Sequence, residues 1–170
     1  MTMGERSLAR RVGIPIVLVG AWGGLIPFVG PLFGYSMGAG GAWTWTASRA
    51  ELHVAPGLGA IVGGLVLITV AGRSGRLAGG LLALVAGIWF LLGPSLSFIG
   101  GSSSPMTGHS MVMGTAASGA SLAMSPLQAI GYHYGPGAII AVLAAVAVGY
   151  MAYASSARRQ TPVVSPEANR

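Results

Sequence analysis

The sequence predicts an all-α membrane protein with four transmembrane helices, arranged as two tandem helical hairpins in a four-helix bundle. Three observations carry this prediction. Of the 170 residues, 53% are hydrophobic and only 7% are charged. Four segments without formal charge are long enough to cross a bilayer, which takes about 20 apolar residues in a helix. The arginines fall in clusters that a four-span chain brings to one side of the membrane.

The composition excludes several classes of function. A soluble domain has about 25% charged residues, so a chain with 7% must turn most of its surface toward lipid or protein. The net charge of +6 comes from arginines beside apolar segments. It lacks the aromatic and basic surface of a nucleic-acid binder, so no nucleic-acid partner is expected. The chain has no cysteine, which excludes disulfides, zinc–thiolate sites and thiol catalysis.

The predicted spans are separated by two long outer connections, 34–53 and 99–135, and by one short link. The second and third are joined only by the sequence RSGR, so they form an antiparallel hairpin. The second and fourth open with a proline, which suits the first turn of a helix. In chain order the expected helices are 12–33, 54–72, 77–98 and 136–154, with a start at Pro126 as the alternative for the last.

Arginine predicts the orientation of the four helices. One cluster precedes the first helix, one lies between the second and third, and one follows the fourth; its members are Arg6, Arg10, Arg11, Arg73, Arg76, Arg158 and Arg159. The loops on the opposite side contain a single arginine, Arg49. The positive-inside rule therefore predicts a multi-pass protein of the cell inner membrane. Segment 1–11 and a disordered tail, 158–170, are expected in the cytoplasm.

Two short motifs recur and predict an internal duplication. The pattern Gly-x-Trp-x-x-x-x-Pro occurs 67 residues apart, as Gly20, Trp22, Pro27 and again as Gly87, Trp89, Pro94. The pattern His-x-x-Pro-Gly occurs 80 residues apart, as His53, Pro56, Gly57 and again as His133, Pro136, Gly137. The halves are expected at 12–76 and 77–157, the second with a longer outer loop, 99–132. Both begin and end inside, so this is a parallel repeat.

The repeated residues have structural explanations. Small residues such as glycine allow close helix contact in lipid, where apolar burial gives little drive between helices. Tryptophan is expected to pack between helices. Proline removes a backbone hydrogen bond, so Pro27 and Pro94 are expected to bend or end their helices.

The Gly-x-Trp-x-x-x-x-Pro pattern resembles the SPW-repeat family of small bacterial membrane proteins. The segments GAWGGLIPF and GIWFLLGPS keep the family's Gly, Trp and Pro but not the Ser and second Trp of its name-giving tripeptide. The resemblance spans about residues 13–155. It implies a four-helix membrane protein with two helices per repeat, and it implies no catalytic residues.

Two groups of residues are candidates for metal binding. His53 and His133 occupy equivalent positions and face each other if the bundle has an approximate two-fold axis, where they would hold copper or haem; alternatively, they satisfy backbone groups at the interface. The outer loop adds soft ligands that suit Cu(I), namely Met106, His109, Met111 and Met113. The alternative is a flexible loop with a short interfacial helix. Exposed aromatic residues, including Trp43, Trp45 and Tyr132, are expected in an interfacial belt.

The sequence favours a non-enzymatic integral membrane protein without a cofactor. The spans hold no titratable group, which disfavours ion-coupled transport, and no Ser-His-acid set is readable. The expected role is that of a structural or accessory component. It would act through helix–helix contacts with the lipid bilayer, with itself or with a larger membrane complex. One alternative is an outward-facing copper-binding protein. Another is a small transporter or channel for an uncharged or lipidic substrate.

Overall fold

A computed structural model describes residues 3–35, 41–96 and 126–159. In these residues the chain is helical, with four helices long and apolar enough to cross a membrane. The prediction of an all-α chain is therefore confirmed for the part that is described, and so is the prediction of four helices long and apolar enough to span a membrane. In chain order, α1 is Met3–Val29 with a 3₁₀ turn at Gly30–Phe33, α2 is Ala47–Thr69, α3 is Arg73–Leu96, and α4 covers 126–159.

The helices begin earlier than the sequence predicts. α2 begins at Ala47 rather than at residue 54, and the described part of α4 begins at Pro126, the alternative start, rather than at residue 136. The expectation that the spans hold no titratable group is therefore wrong, because the longer helices include His53 and His133. At the start of α2 the Thr46 hydroxyl accepts a hydrogen bond of 3.2 Å from the backbone N–H of Arg49. This is an N-cap, which satisfies one of the donors that a helix start leaves open. The prolines expected to open these helices therefore lie within them.

A widened turn precedes each of those prolines. Residues Ala50–Val54 in α2 and Ile130–Tyr134 in α4 are π-helical. The two turns lie 80 residues apart, the spacing of the His-x-x-Pro-Gly motif that each contains in part. Ordinary α-helical geometry resumes at Ala55 and at Gly135. Such π-bulges inside helices are rare and frequently lie at functional sites.

The four helices form a closed ring in which each contacts two neighbours. α1 packs on α2, α2 on α3, α3 on α4, and α4 returns to α1. We call the end where α2 and α4 begin the histidine end, because it contains His53 and His133. The opposite end contains the start of α1, the link between α2 and α3, and the end of α4. We call it the arginine end, because Arg6, Arg73 and Arg76 lie there.

Glycines set the distance between neighbouring helices. A Cβ added to Gly57 of α2 would lie 2.9 Å from the Gly20 carbonyl oxygen of α1, and one added to Gly137 of α4 would lie 3.0 Å from the Gly87 carbonyl oxygen of α3. Such distances are closer than a real side chain tolerates. The first glycine of each Gly-x-Trp pattern therefore meets the glycine of a His-x-x-Pro-Gly pattern, once in each half. This close backbone approach is the packing mode expected in lipid.

Small and aliphatic side chains fill the interior between these crossings. The largest side chains that are fully buried come from all four helices; they are Ile16, Ile26, Leu67, Phe90, Tyr132 and Ile140. Leucines, valines and isoleucines cover much of the outer surface, as at Leu18 and Val85, which are 65% and 61% exposed. A soluble bundle has a polar outer surface. This bundle has an apolar outer surface around a glycine-rich interior, which suits a bilayer as the surrounding solvent.

The Gly87 crossing can be tested by adding a single methyl group. In Gly87→Ala the new Cβ would lie 2.7 Å from the Ala141 backbone nitrogen, so α3 and α4 must separate. We expect a loss of about 1–3 kcal/mol, the usual cost of overpacking, measured as thermal unfolding in detergent micelles. Gly149→Ala is the matched control. No heavy atom lies within 4 Å of its added Cβ, and its higher helix propensity gains up to about 1 kcal/mol. Equal effects of the two substitutions would contradict the close crossing.

Candidate functional site at the histidine end

The prolines of the two His-x-x-Pro-Gly motifs each deprive one backbone carbonyl of its partner. In α2 the π turn pairs the Ala55 N–H with the Ala50 carbonyl, five residues earlier. The next pair in that register would join residue 56 to the Glu51 carbonyl. Residue 56 is proline and has no N–H. The Trp89 indole of α3 takes this place, because its Nε1 donates to the Glu51 carbonyl at 3.0 Å.

The second half repeats this arrangement with its own residues. In α4 the Gly135 N–H pairs with the Ile130 carbonyl, so Pro136 leaves the Gly131 carbonyl without a backbone donor. The Trp22 indole of α1 donates to the Gly131 carbonyl at 3.3 Å. The tryptophan of each half therefore completes the backbone of the other half. The prediction that Trp22 and Trp89 only pack between helices missed this role, and both rings are about half exposed.

Between the two π turns, the rings of His53 and His133 meet in the interior. Their centroids are 4.3 Å apart and their planes are tilted by 32°. The side chains are 3% and 2% exposed. The expectation that these histidines face each other is thus what the structure shows. They come from α2 and α4, which are not neighbours in the ring, so the pair bridges the middle of the bundle.

His53 is oriented by the backbone of α1. Its Nδ1 lies 3.3 Å from the Gly23 carbonyl oxygen. A carbonyl only accepts, so this hydrogen bond requires the hydrogen on Nδ1 and leaves the lone pair on Nε2. Metal-binding histidines commonly donate one ring N–H to a carbonyl in this way, which fixes the other nitrogen for the metal. The geometry of His53 is therefore compatible with both of its sequence-based explanations. Its Nδ1 satisfies a backbone carbonyl, and its Nε2 keeps a lone pair for a metal ion.

Haem does not fit between these two rings as they stand. A metal–imidazole bond is about 2 Å long, so ligands on opposite faces of a haem have nitrogens about 4 Å apart and ring centroids farther apart still. The observed centroid separation is 4.3 Å, which leaves no room for the macrocycle. A single ion bound beside the two rings requires no such gap. Among the described residues, no group of three or more His, Cys, Asp and Glu side chains comes together.

Large side chains enclose the histidine pair asymmetrically. The Phe90 ring lies 6.4 Å from the His53 ring and the Tyr132 ring lies 5.9 Å from it, both edge-on. The position that corresponds to Phe90 in the first half is Gly23, where an added Cβ would lie 2.7 Å from the Phe90 ring. The middle of the bundle holds one bulky ring, so only one half supplies it. In the alignment of the two halves, Gly23 follows Trp22 where Phe90 follows Trp89. This difference could have indicated that only one half supplies the bulky ring.

Tyr132 departs from its predicted place. It was expected in an interfacial aromatic belt, and it is fully buried. Burial is tolerated because its hydroxyl donates to the Tyr35 backbone carbonyl. The Tyr35 ring stacks on the Tyr132 ring with centroids 5.0 Å apart, and its own hydroxyl donates to the Leu127 carbonyl at 3.1 Å. The end of α1 is thereby tied to the start of α4 over the histidine pair.

The remaining predicted residues fall into three groups. Trp43 and Trp45 are 65% and 66% exposed at the histidine end, as expected of a belt, and both pack against Phe28. Pro27 and Pro94 lie inside α1 and α3, and α1 turns 3₁₀ soon after Pro27. The loop candidates for Cu(I) lie outside the described residues; they are Met106, His109, Met111 and Met113.

Comparisons with models of protein families, with curated proteins and with solved structures give no match. The interpretation of this site therefore rests on its geometry. The resemblance to the SPW-repeat family stays a prediction from the two Gly-x-Trp-x-x-x-x-Pro segments.

The indole contacts predict a specific coupling between Trp89 and Pro56. Trp89→Phe removes the donor to the Glu51 carbonyl and keeps an aromatic ring. We expect a loss near 0.6 kcal/mol, the average for hydrogen bonds between membrane helices, and up to about 1.7 kcal/mol. In a Pro56→Ala background residue 56 regains an N–H for that carbonyl, so the same substitution should cost less. A double-mutant cycle from thermal unfolding measures the difference.

Trp45→Phe is the control for this cycle, because Trp45 is exposed and its stacking on Phe28 is kept. It should change stability by less than about 0.5 kcal/mol in either background. Strict additivity of Trp89→Phe and Pro56→Ala would show that the indole does not replace the missing N–H.

Proposed function

We propose that this chain is a non-enzymatic integral membrane protein that serves as a structural or accessory component through helix–helix contacts. One observation carries the proposal: most of the polar side chains that the described bundle buries are bound to the chain's own backbone. Arg49 donates to the Gly41 and Thr44 carbonyls. Arg76 donates to the Val70 carbonyl at 2.6 Å, and His53 binds the Gly23 carbonyl.

Because these polar groups bind the chain's own backbone, few of them are left to bind other molecules. N–H groups that donate to backbone carbonyls stabilise the fold and are not free to donate to a substrate. What remains on the outside is apolar helix surface interrupted by small residues. In a bilayer, surfaces of this kind associate with other helices through close van der Waals contact. We therefore propose that the partners are lipid together with further copies of the chain or a larger membrane complex.

The proposal includes a tandem duplication. It is supported by the contacts that recur at the offsets of the sequence motifs: the two glycine crossings, the two π turns and the two indole–carbonyl hydrogen bonds. Because the tryptophan of each half binds a backbone carbonyl of the other half, each hairpin depends on the other. A single hairpin would leave its own proline-freed carbonyl open in lipid, which costs free energy.

The proposal also places both termini in the cytoplasm of a cell with an inner membrane. It is supported by arginines at one end of the bundle, namely Arg6, Arg10, Arg11, Arg73 and Arg76. At the other end the one described arginine, Arg49, is 8% exposed and turned inward over the Phe28 ring, 5.7 Å from its centroid. An arginine used in this way contributes little to a surface charge.

Orientation is tested by labelling single cysteines, which the cysteine-free chain permits without other changes. A cysteine at Ser103 should react with a membrane-impermeant maleimide in intact cells. A cysteine at Ser74, in the first turn of α3 at the arginine end, should react only after permeabilisation. The reverse pattern would overturn the proposed orientation.

The accessory role is tested by the state of the protein in gently solubilised membranes. Extraction into native nanodiscs should give particles that contain more than one copy of the chain or a second membrane protein. Chemical crosslinking in intact cells should yield the same species. Particles with one copy and no partner, together with the absence of crosslinks, would contradict an accessory role.

The geometry also favours a second function, the binding of a copper ion by the histidine pair. The observation that favours it is the His53 ring, held by a carbonyl on one nitrogen with the other lone pair available, 4.3 Å between centroids from a second imidazole. Imidazole suits copper, and thioethers suit Cu(I). The loop methionines predicted as ligands follow α3 in the chain and precede α4, which begins at the histidine end.

Copper binding is tested by anaerobic titration of the purified protein with Cu(I). His53→Asn keeps an N–H for the Gly23 carbonyl and removes the coordinating nitrogen, so it should weaken binding at least tenfold. A variant with alanine at Met106, His109, Met111 and Met113 separates the loop from the pair. Equal and weak binding by wild type and both variants would exclude the copper site.

A further inference from the structure

The surface between α2 and α3 contains an apolar groove with one acidic residue, Glu51, in its lining. The groove has a volume of about 290 Å³ and lies toward the histidine end. Its walls are apolar, with Pro56 and Gly59 from α2 and Leu82 and Val85 from α3. Glu51 and Trp89 line it as well. It is open to the outside of the bundle, which in a membrane-spanning helix ring is the lipid.

Small residues produce the groove. Gly59 and Ala86, which line the groove, have little or no side chain. The helices pack closely beneath it, because a Cβ added to Gly59 would lie 3.3 Å from the Ala86 Cβ of α3. The corresponding residue on the opposite face, 80 positions later, is Ile139, which is 48% exposed. The residue that corresponds to Glu51 is Gly131. The α2–α3 face thus has a glycine and an acid at two positions where the opposite face has an isoleucine and a glycine.

The charge of Glu51 is not neutralised from its own helix by Arg49. Two residues along an α-helix point to nearly opposite sides. Arg49 lies over Phe28 of α1 and donates to the Gly41 and Thr44 carbonyls of the segment before α2. Glu51 instead lines the groove shared with α3. Glu51 is exposed and lies about one helical turn from the start of α2, at the end where Trp43 and Trp45 are also exposed. Exposed tryptophans are typical of headgroup level.

We propose that this groove binds a phospholipid with a primary-amine headgroup, its acyl chain along the apolar walls and its ammonium group at the Glu51 carboxylate. The inference rests on the membrane placement proposed above. The walls of the groove favour an acyl chain, because apolar walls offer a ligand only van der Waals contact. The lone carboxylate selects a cationic amine over an anionic headgroup, since opposite charges attract and like charges repel at short range.

The test is native mass spectrometry of the purified protein with phosphatidylethanolamine or phosphatidylglycerol carrying the same acyl chains. Wild type should prefer phosphatidylethanolamine by about two- to fivefold, the factor that an exposed ion pair supplies. Glu51→Gln should abolish the preference. Val85→Trp, on an exposed side chain of the wall, should fill the groove and lower binding of both lipids, as should Gly59→Ile.

Matched controls separate the groove from general effects. Glu5→Gln removes an acid from the start of α1 and should keep the preference, and Gly149→Ile adds the same side chain as Gly59→Ile at an open position. Equal binding of the two lipids by wild type, or a preference that survives Glu51→Gln, would overturn the proposal. Dimers that Val85→Trp abolishes would also overturn it, because the groove would then belong to a second copy. Resistance of the protein to extraction from membranes by carbonate is measured first. Failure of that measurement would contradict the membrane placement, whereas failure of the lipid assay alone would contradict the lipid site.

Discussion

A proline inside a membrane-spanning helix leaves a carbonyl without its N–H partner, and lipid supplies no substitute. In this protein the substitute is an indole from the other half of the chain. Trp89 donates to the Glu51 carbonyl and Trp22 donates to the Gly131 carbonyl. Much of the structure at the histidine end follows from these two hydrogen bonds, because they fix which helices meet there and at what height.

The same two contacts position the histidines. Each π turn ends two residues before a motif proline, and each histidine is the fourth of the five residues in its turn. When the two turns are held against the opposite tryptophans, His53 and His133 meet between the helices. The glycine crossings at Gly20 and Gly87 let the helices approach closely enough for this contact. A site in the interior therefore depends on groups that face lipid.

Much of the architecture could be predicted from composition and spacing, since span length depends on bilayer thickness alone. The meeting of His53 and His133 could be predicted as well, because both occupy the same place in a repeated motif. The start of α2 could not, because a proline indicates a helix start whether or not a π turn precedes it, and for the same reason two starts stayed open for α4. Tyr132 was misplaced for a related reason: its burial depends on a carbonyl of Tyr35, far away in sequence. The groove beside Glu51 appears only when the helices are packed.

The central claim is that two of the four tryptophans replace a missing backbone donor through their indole N–H groups. Hydrogen–deuterium exchange of the indole N–H signals, followed by NMR in detergent micelles, measures this directly. The account predicts two slowly exchanging indoles, assigned by their disappearance in Trp22→Phe and Trp89→Phe, and faster exchange for Trp43 and Trp45. Four indoles that exchange at one rate, or protection of Trp43 and Trp45 instead, would contradict it.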